Sequence, residues 1–572
     1  MDAPTPAPLP ITPIEKIDDK DVIFFDYDGT VVAAYTAEEF AELSALPANP
    51  SHTGLIAQGW NITRARIESQ LNICQEVPLC VGQMYTTSSG ATEIDIDLDD
   101  YRKSPYLSVC VNGTVTIDWG DNSTDDTITA SDITVQQTIQ HLYTSGGLYT
   151  ISITCNSGSY TFGIASGTQY EPLLYEPVTN EDNQVYKALT NKVIHIRLGN
   201  GLTYLNGYSF STCYGLLSIT MTNAITTIGD HSFHECRSLQ YITIPNSCTN
   251  IGAAAFINCN NLCYISIPQN NSPRQINGLN ISESAFAACS SLKSLYLPNG
   301  MSDVNYALCQ YCNSLEKVYI PYATNIEDRA FEDCHALNNV FLLCNVDIGD
   351  EGNIHGGLQR ICQYAFSKCY SLRSFKIPDT VTRIDAYVFQ YCNSLESIEI
   401  PSRVSTSGSC IFYNCSALQS VTIKCNDALN TDIFRRCASL QHVTFQNATR
   451  WNILRDGMFS ECYLLTNITI PSSVTSFGSA FTYCYSLTSI TIPSAVASVS
   501  AGCFQGCSSI KAIHLQPTSP PTMHGALFGN RVPPQDLVIY VPYSADHSIL
   551  NAYKEATNWA TFASQMQEEP QE

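Results

Sequence analysis

From about Tyr204 to Leu515 the apolar positions return with a fixed period. One copy runs Ile251-Gly-Ala-Ala-Ala-Phe256-Ile-Asn-Cys259-Asn-Asn-Leu262-Cys-Tyr-Ile265-Ser-Ile267-Pro268, and Ile384 to Pro401 repeats it almost position for position. The marker, Phe, two residues, Cys, two residues, Leu, occurs from Phe210/Cys213 to Phe504/Cys507; Ile510 replaces the last Leu, and Cys309/Cys312 is a variant with Cys for Phe. Most successive markers stand 23 residues apart or within two of that. A period of about 20–50 residues predicts stacked units, each too small to bury its own apolar face. Each unit predicts one short alternating strand, such as Ile242-Thr-Ile244, closed by a Pro that cannot donate into a continuing ladder. Wider gaps predict loops bulging out near 270–278 and 345–357.

The phrase I-G-x-x-A-F-x-x-C-x-x-L-x-x-I-x-I-P resembles the BspA-like leucine-rich repeat over more than half the chain. Leu537 to Pro542, Ile549 to Lys554 and Trp559-Ala are similar to the closing strand and helix of such arrays. The resemblance implies a solenoid with a surface-exposed binding or adhesion role and no chemistry of its own.

Ahead of the array the period changes. Thr92 to Leu98, Leu107 to Val111, Val115 to Trp119 and Tyr149 to Ile153 alternate at period two between Gly, Asn and Ser turns, which predicts strands. With Trp119-Gly-Asp121, His141-Leu-Tyr143 and Gly147-Leu-Tyr149, this stretch resembles a PKD-type immunoglobulin-like sandwich. That resemblance makes Trp119 a core residue and Asp121 a turn cap. Asp121, Asp125 and Asp126 are candidate calcium ligands, weighed against plain solvated turn acids.

Nearer the start, Val22-Ile-Phe-Phe-Asp26-Tyr-Asp28-Gly29-Thr30 resembles the nucleophile loop of haloacid-dehalogenase-type phosphatases, which implies Asp26 attacking phosphorus and Asp28 serving the leaving group. A phosphate also needs a cation, and no Lys or Arg before residue 185 stands in that family's basic motif. The competing reading is a hairpin turning at Asp28-Gly29. Thr36 caps a short helix, and a second helix is predicted from about Thr63 to Ile73. Residues 22–80 also resemble a module that recurs in structural proteins of bacteriophages and prophages, which implies an attachment or assembly piece.

The reading is therefore mainly β: a Pro-rich leader (1–21), a small α+β attachment module (22–81), a sandwich (82–172), a link (173–190), a leucine-rich-repeat solenoid (191–530), and a cap strand and helix with an acidic tail (531–572). Composition narrows the partners. The net charge of −24, from 28 Lys plus Arg against 52 Asp plus Glu, argues against nucleic acid and against anionic membrane surfaces. No run of about 18 apolar residues spans a membrane, and the start of the chain reads as lacking a signal peptide. Of the 25 cysteines, thirteen occupy one repeat position and read as a column of buried soft side chains, since Phe-x-x-Cys offers one thiol per turn and no second pair of metal ligands. The eleven His form no motif with Ser or Cys.

No catalytic residue, cofactor site or metal site is expected beyond the weak calcium candidates. The expected role is non-enzymatic binding by a virion-associated fibre, spike or decoration adhesin. Its array would recognise a host-surface protein or glycan, and its N-terminal module other virion or surface proteins. Sister copies of the chain are further candidate partners. The alternatives are a purely structural virion part, a bacterial cell-surface or secreted adhesin, and, remotely, a phosphatase. Tyr241, Tyr264, Tyr296 and Tyr319 lie in successive strands, and alternation puts all four on one face. That stripe is the expected ligand contact, set against a stacked ladder that only stabilises the sheet.

Overall fold

The computed structural model describes residues 19–164, 172–178, 185–269, 278–299, 301–321, 323–342 and 357–570. Most of the leader and both predicted array insertions, apart from Gly278 and Gly357 at their ends, lie outside the described residues. The chain forms two compact units, residues 1–322 with 340–343, and residues 323–339 with 344–572.

The first unit opens with a four-stranded sheet in the order β2-β1-β4-β3. Its strands are β1 (Val22–Phe25), β2 (Val31–Tyr35), β3 (Leu55–Trp60) and β4 (Leu79–Thr87). Two helices accompany it, α1 (Ala37–Ala41) and α2 (Arg64–Leu71). Thr36 caps α1 in a reciprocal box with Glu39, the predicted start signal. β1 and β2 form the hairpin expected around Asp28-Gly29. β1 is buried along its whole length: Val22 and Phe24 join Phe40, Ile67 and Leu71 of the helices, while Ile23 and Phe25 join a second cluster with Cys80.

The middle strands are β5 (Thr92–Leu98), β6 (Tyr106–Asp118), β7 (Asp126–Gln140), β8 (Gly147–Thr161), β9 (Leu174–Val178), β10 (Val185–Ala188) and β11 (Val193–Arg197). The stretch read as a sandwich is hydrogen-bonded into one sheet, ordered β10-β9-β6-β8-β5-β11, with β7 paired to β6. β11 then pairs in parallel with Ser218–Thr220, so the sheet runs on into the array. The stretch expected as a link supplies β9 and β10. Trp119 is buried and donates from Nε1 to Asp126, and the Tyr143 hydroxyl donates to the Trp119 carbonyl.

Each rung of the array closes through the Phe-x-x-Cys turn. The left-handed region is entered two residues before and two after the Phe, as at Tyr387 (φ 62) and Tyr391 (φ 62) around Phe389; the Phe481 turn enters it only after the Phe, at Tyr483 (φ 62). Phe rings then stack rung upon rung, 5.0 Å apart at Phe233/Phe256 and 5.4 Å at Phe389/Phe412. Along the column marker thiols donate to the Phe carbonyl of the preceding rung: Cys259 to Phe233 at 3.1 Å, Cys415 to Phe389 at 3.1 Å. The same carbonyl also accepts from the Cys N–H of its own rung, as Phe233 does from Cys236 N and Phe389 from Cys392 N at 3.1 Å, so the thiol fills its second acceptor position and ties one rung to the next. A second ladder of two-residue strands, such as Thr227–Ile228 on Asn250–Ile251, sits before each turn. The sequence pattern predicted one strand per repeat, because a two-residue segment is too short to show a period.

The second unit ends with strand Val538–Val541, helix α3 (Ser548–Glu555) and strand Met566–Glu568, which pairs in parallel with Val538–Val541. Part of the predicted acidic tail is thus the last strand of a sheet.

Candidate binding surface

In the first unit the strands Tyr241–Thr243 and Tyr264–Ser266 pair in register, as do Ser294–Tyr296 and Lys317–Ile320. All four tyrosines share the strand face, as alternation required. They are covered there, at 2%, 8%, 6% and 1% exposure. The Phe25 ring lies 4.7 Å from Tyr241 and 5.2 Å from Tyr264, and the Tyr296 hydroxyl donates to Gln70 of α2 at 2.9 Å. Gly82 of β4 has its bare backbone against the array: a Cβ there would fall 2.1 Å from Thr243 Oγ1 and 2.5 Å from the Tyr241 hydroxyl. Buried Asn61 seals the contact. Its amide donates to the Ile244 and Ser266 carbonyls, and its Oδ1 accepts from Gly82 N and the Ser266 hydroxyl. Burial pushes the Cys80 thiol up to about 12 and the Tyr241 hydroxyl well above its usual value. The expectation of a ligand-contact stripe is corrected: Tyr241, Tyr264, Tyr296 and Tyr319 are the seat of the N-terminal module.

The strand face of the second unit is different. Ser397–Ile400, Ser420–Ile423 and His442–Phe445 pair in parallel, as do Ser489–Ile492, Ala512–Leu515 and Val538–Val541. Ile398, Ile400, Val421 and Ile423 point to the core, and Glu399, Thr422 and Thr444 point to solvent on neighbouring rungs. Farther on, Thr491, His514 and Tyr540 continue this outward register, with His514 and Tyr540 stacked at 4.8 Å. On the turn side of the same unit Tyr370, Tyr463 and Tyr485 are exposed, the last two stacked at 5.2 Å.

The repeat matches the model of the BspA type leucine rich repeat region in six copies, over residues 182–277, 275–352, 359–480 and 427–531. The chain belongs to the BspA-type leucine-rich repeat family. A solved leucine-rich repeat protein from Bacteroides ovatus is similar at 25% identity and a TM-score of 0.50, covering 64% of this chain and 92% of that one. Leucine-rich repeat proteins from Eubacterium ventriosum (18% identity, TM-score 0.35, 60% and 81% covered) and Faecalibacterium prausnitzii, the latter a cell surface protein (24%, 0.32, 59% and 86%), are also similar. No curated protein matches.

In this BspA-type chain the other candidate residues have structural partners. Asp26 is buried, accepting from Tyr27 N and the Tyr85 hydroxyl at 2.8 Å on Oδ1 and pairing with His52 Nε2 at 2.6 Å on Oδ2. Both oxygens are thus engaged within the module, and Asp28 holds the turn by accepting from Thr30 N. The sequence showed no cation for this loop, yet the fold brings Arg197 close enough to act on the Tyr27 hydroxyl. Burial, and after it Asp28 and Asp26, raises that hydroxyl. Arg197 is itself forked between Glu93 (2.8 Å) and Asp95 (2.7 Å).

The calcium candidates are not gathered. Asp121 Oδ2 pairs with His141 Nε2 at 2.9 Å and its Oδ1 accepts from Ser123 N, Asp126 takes the Trp119 indole, and Asp125 is exposed. Burial alone would raise the Asp121 carboxyl, but the bonds from Ser123 and His141 outweigh it and hold it at about 2. Asp328, Cys362 and Asp385 do bring ligand atoms within 4.8 Å of one another. Each has other work: Asp328 accepts from Gln363 N, the Cys362 thiol points to Glu327, and Asp385 holds Arg360 and Arg383. Among the described residues no helix is long and apolar enough to cross a membrane.

Proposed function

We propose that the chain is a non-enzymatic, surface-displayed binding protein whose open strand face in the second unit recognises a host-surface protein or glycan. The observation that carries this reading is the contrast between the two strand faces: the aromatic one is consumed within the molecule, and the hydroxyl-lined one is left to solvent. Leucine-rich repeat proteins bind partners through broad, repeated surfaces, and hydroxyls spaced by the strand separation of about 4.8 Å form such a surface.

The test is adhesion of the full chain to host cells. The pair Thr422→Lys and Thr444→Lys should abolish binding, while Tyr370→Lys on the turn side should leave it intact; equal binding by both variants would refute the assignment of this face. Display on a virion rests on the resemblance of residues 22–80 and is tested by mass spectrometry of purified particles beside washed cells. Peptides confined to the cell fraction would transfer the role to a cell-surface adhesin. A second reading, a structural virion part, draws on the small polar side chains of the same face. It requires a copy number set by particle symmetry and no adhesion.

A further inference from the structure

At the C-terminal end of the second unit the strand face sinks into a hollow of about 410 Å³, within the range of roughly 300–1,000 Å³ that small-ligand sites span. Thr491, His514, Leu515, Gln516, Pro542 and Glu569 line it. Its geometry depends on the fold-back of the chain end. Strand Met566–Glu568 pairs with Val538–Val541, Glu569 N donates to the Val541 carbonyl at 2.9 Å, and the Glu569 carboxylate thereby reaches His514 Nδ1 at 2.6 Å. The imidazole is also fixed by its stack on Tyr540, 6° from parallel. Two contacts on one ring leave Nε2 in a set orientation.

We propose that this hollow is a subsite for a neutral saccharide, an inference that rests on the adhesin reading and names its ligand class. A sugar hydroxyl both donates and accepts, and so do the Thr491 hydroxyl and the Gln516 amide, while the Glu569 carboxylate accepts. Leu515, Pro542 and the His514 ring supply apolar ground for a sugar's C–H faces. Among the described residues no Lys or Arg lines the hollow, Glu569 stands in its wall, and the chain carries a net charge of −24. A carboxylated sugar therefore meets the like charge of Glu569.

The experiment is saturation-transfer NMR with isothermal titration of the full chain against lactose, cellobiose and 3′-sialyllactose. At least one neutral disaccharide should bind with a Kd of about 1 mM, the affinity expected of a few hydrogen bonds. The sialylated sugar should bind at least about tenfold more weakly, and Glu569→Gln should narrow that gap. Thr491→Ala with Gln516→Ala should weaken the neutral sugar about tenfold or more, while Tyr370→Ala, exposed on the turn side, should change nothing. Thermal unfolding of each variant separates lost binding from lost folding. Wild-type chain that binds neither neutral sugar, or binding indifferent to Thr491 and Gln516, overturns the subsite. Adhesion to cells that persists in such a result leaves the adhesin reading standing. Sugar binding without cell adhesion overturns that reading and keeps the subsite.

Discussion

The two strand faces come from one repeat and differ only in what points outward. In the first unit the outward positions carry Tyr241, Tyr264, Tyr296 and Tyr319, and a folded module is seated on them. In the second they carry Glu399, Thr422, Thr444 and Thr491, exposed except for half-buried Thr422, and then His514 and Tyr540. Inward, the units match: the same Phe stacks and the same thiol-to-carbonyl bonds run through both. On this strand face the aromatic stripe marks a docking place, and its occupant is the chain's own N-terminal module. Large apolar area favours permanent cover, at roughly 25 cal/mol for each Å² removed from water, whereas a hydroxyl surface is stable uncovered.

The comparison breaks most easily at Phe25. Phe25→Ala removes the ring stacked on Tyr241 and Tyr264 and should cost about 4 kcal/mol in the unfolding of the first unit. Thr444→Ala in the second should stay within about 0.5 kcal/mol. Urea unfolding followed by hydrogen exchange assigns each loss to its unit, and equal losses would erase the distinction. Gly82→Val drives a side chain into Thr243 and should cost about 3 kcal/mol, seen as faster protease cleavage between residues 87 and 92. Thr422→Val, on a solvent-facing strand, should leave the cleavage pattern as it was.

The inward identity predicts equality instead. Cys259→Ala and Cys415→Ala each delete a thiol donor at 3.1 Å from a Phe carbonyl and should each cost about 1–2 kcal/mol. A difference above about 1 kcal/mol between them would show that the columns are not equivalent. The smallest effect belongs to acid. Asp121 sits at about 2 in the folded chain, below the ordinary value near 3.9. Its contribution is present above about pH 4 and lost as pH falls through about 2. Asp121→Asn should flatten the acid limb of a melting-temperature profile in that window and leave the neutral region's slope unchanged.

How far the sequence carried is clear from particular residues. The Phe-x-x-Cys turn, the tyrosine alignment, the Thr36 cap and the Asp28-Gly29 hairpin follow from local rules, since each is set by spacing within one rung or one turn. The burial of Tyr241 does not, because its cover comes from Phe25, over two hundred positions earlier. Gly82 carried a faint signal: a glycine directly after the apolar run Leu79 to Val81 suggests close backbone approach. Arg197 beside the Asp26 loop, and Glu569 beside His514, depend on which strands become neighbours and had no signal in spacing. For Asp121, Asp125 and Asp126 the clustering in sequence was misleading, because a turn aims successive carboxylates at different partners.

The seating of the module also sets a schedule for synthesis. Residues 22–87 leave the ribosome first, yet Cys80 accepts from Ser266 across 186 positions. At about 5–20 residues per second, the face bearing Phe25, Asn61 and Cys80 waits roughly 10–40 s for its partner strands. Throughout that interval it is an apolar surface with unmet amide bonds, the kind that chaperones hold and that sister nascent chains stick to. Expression of the module without the array would make the wait permanent.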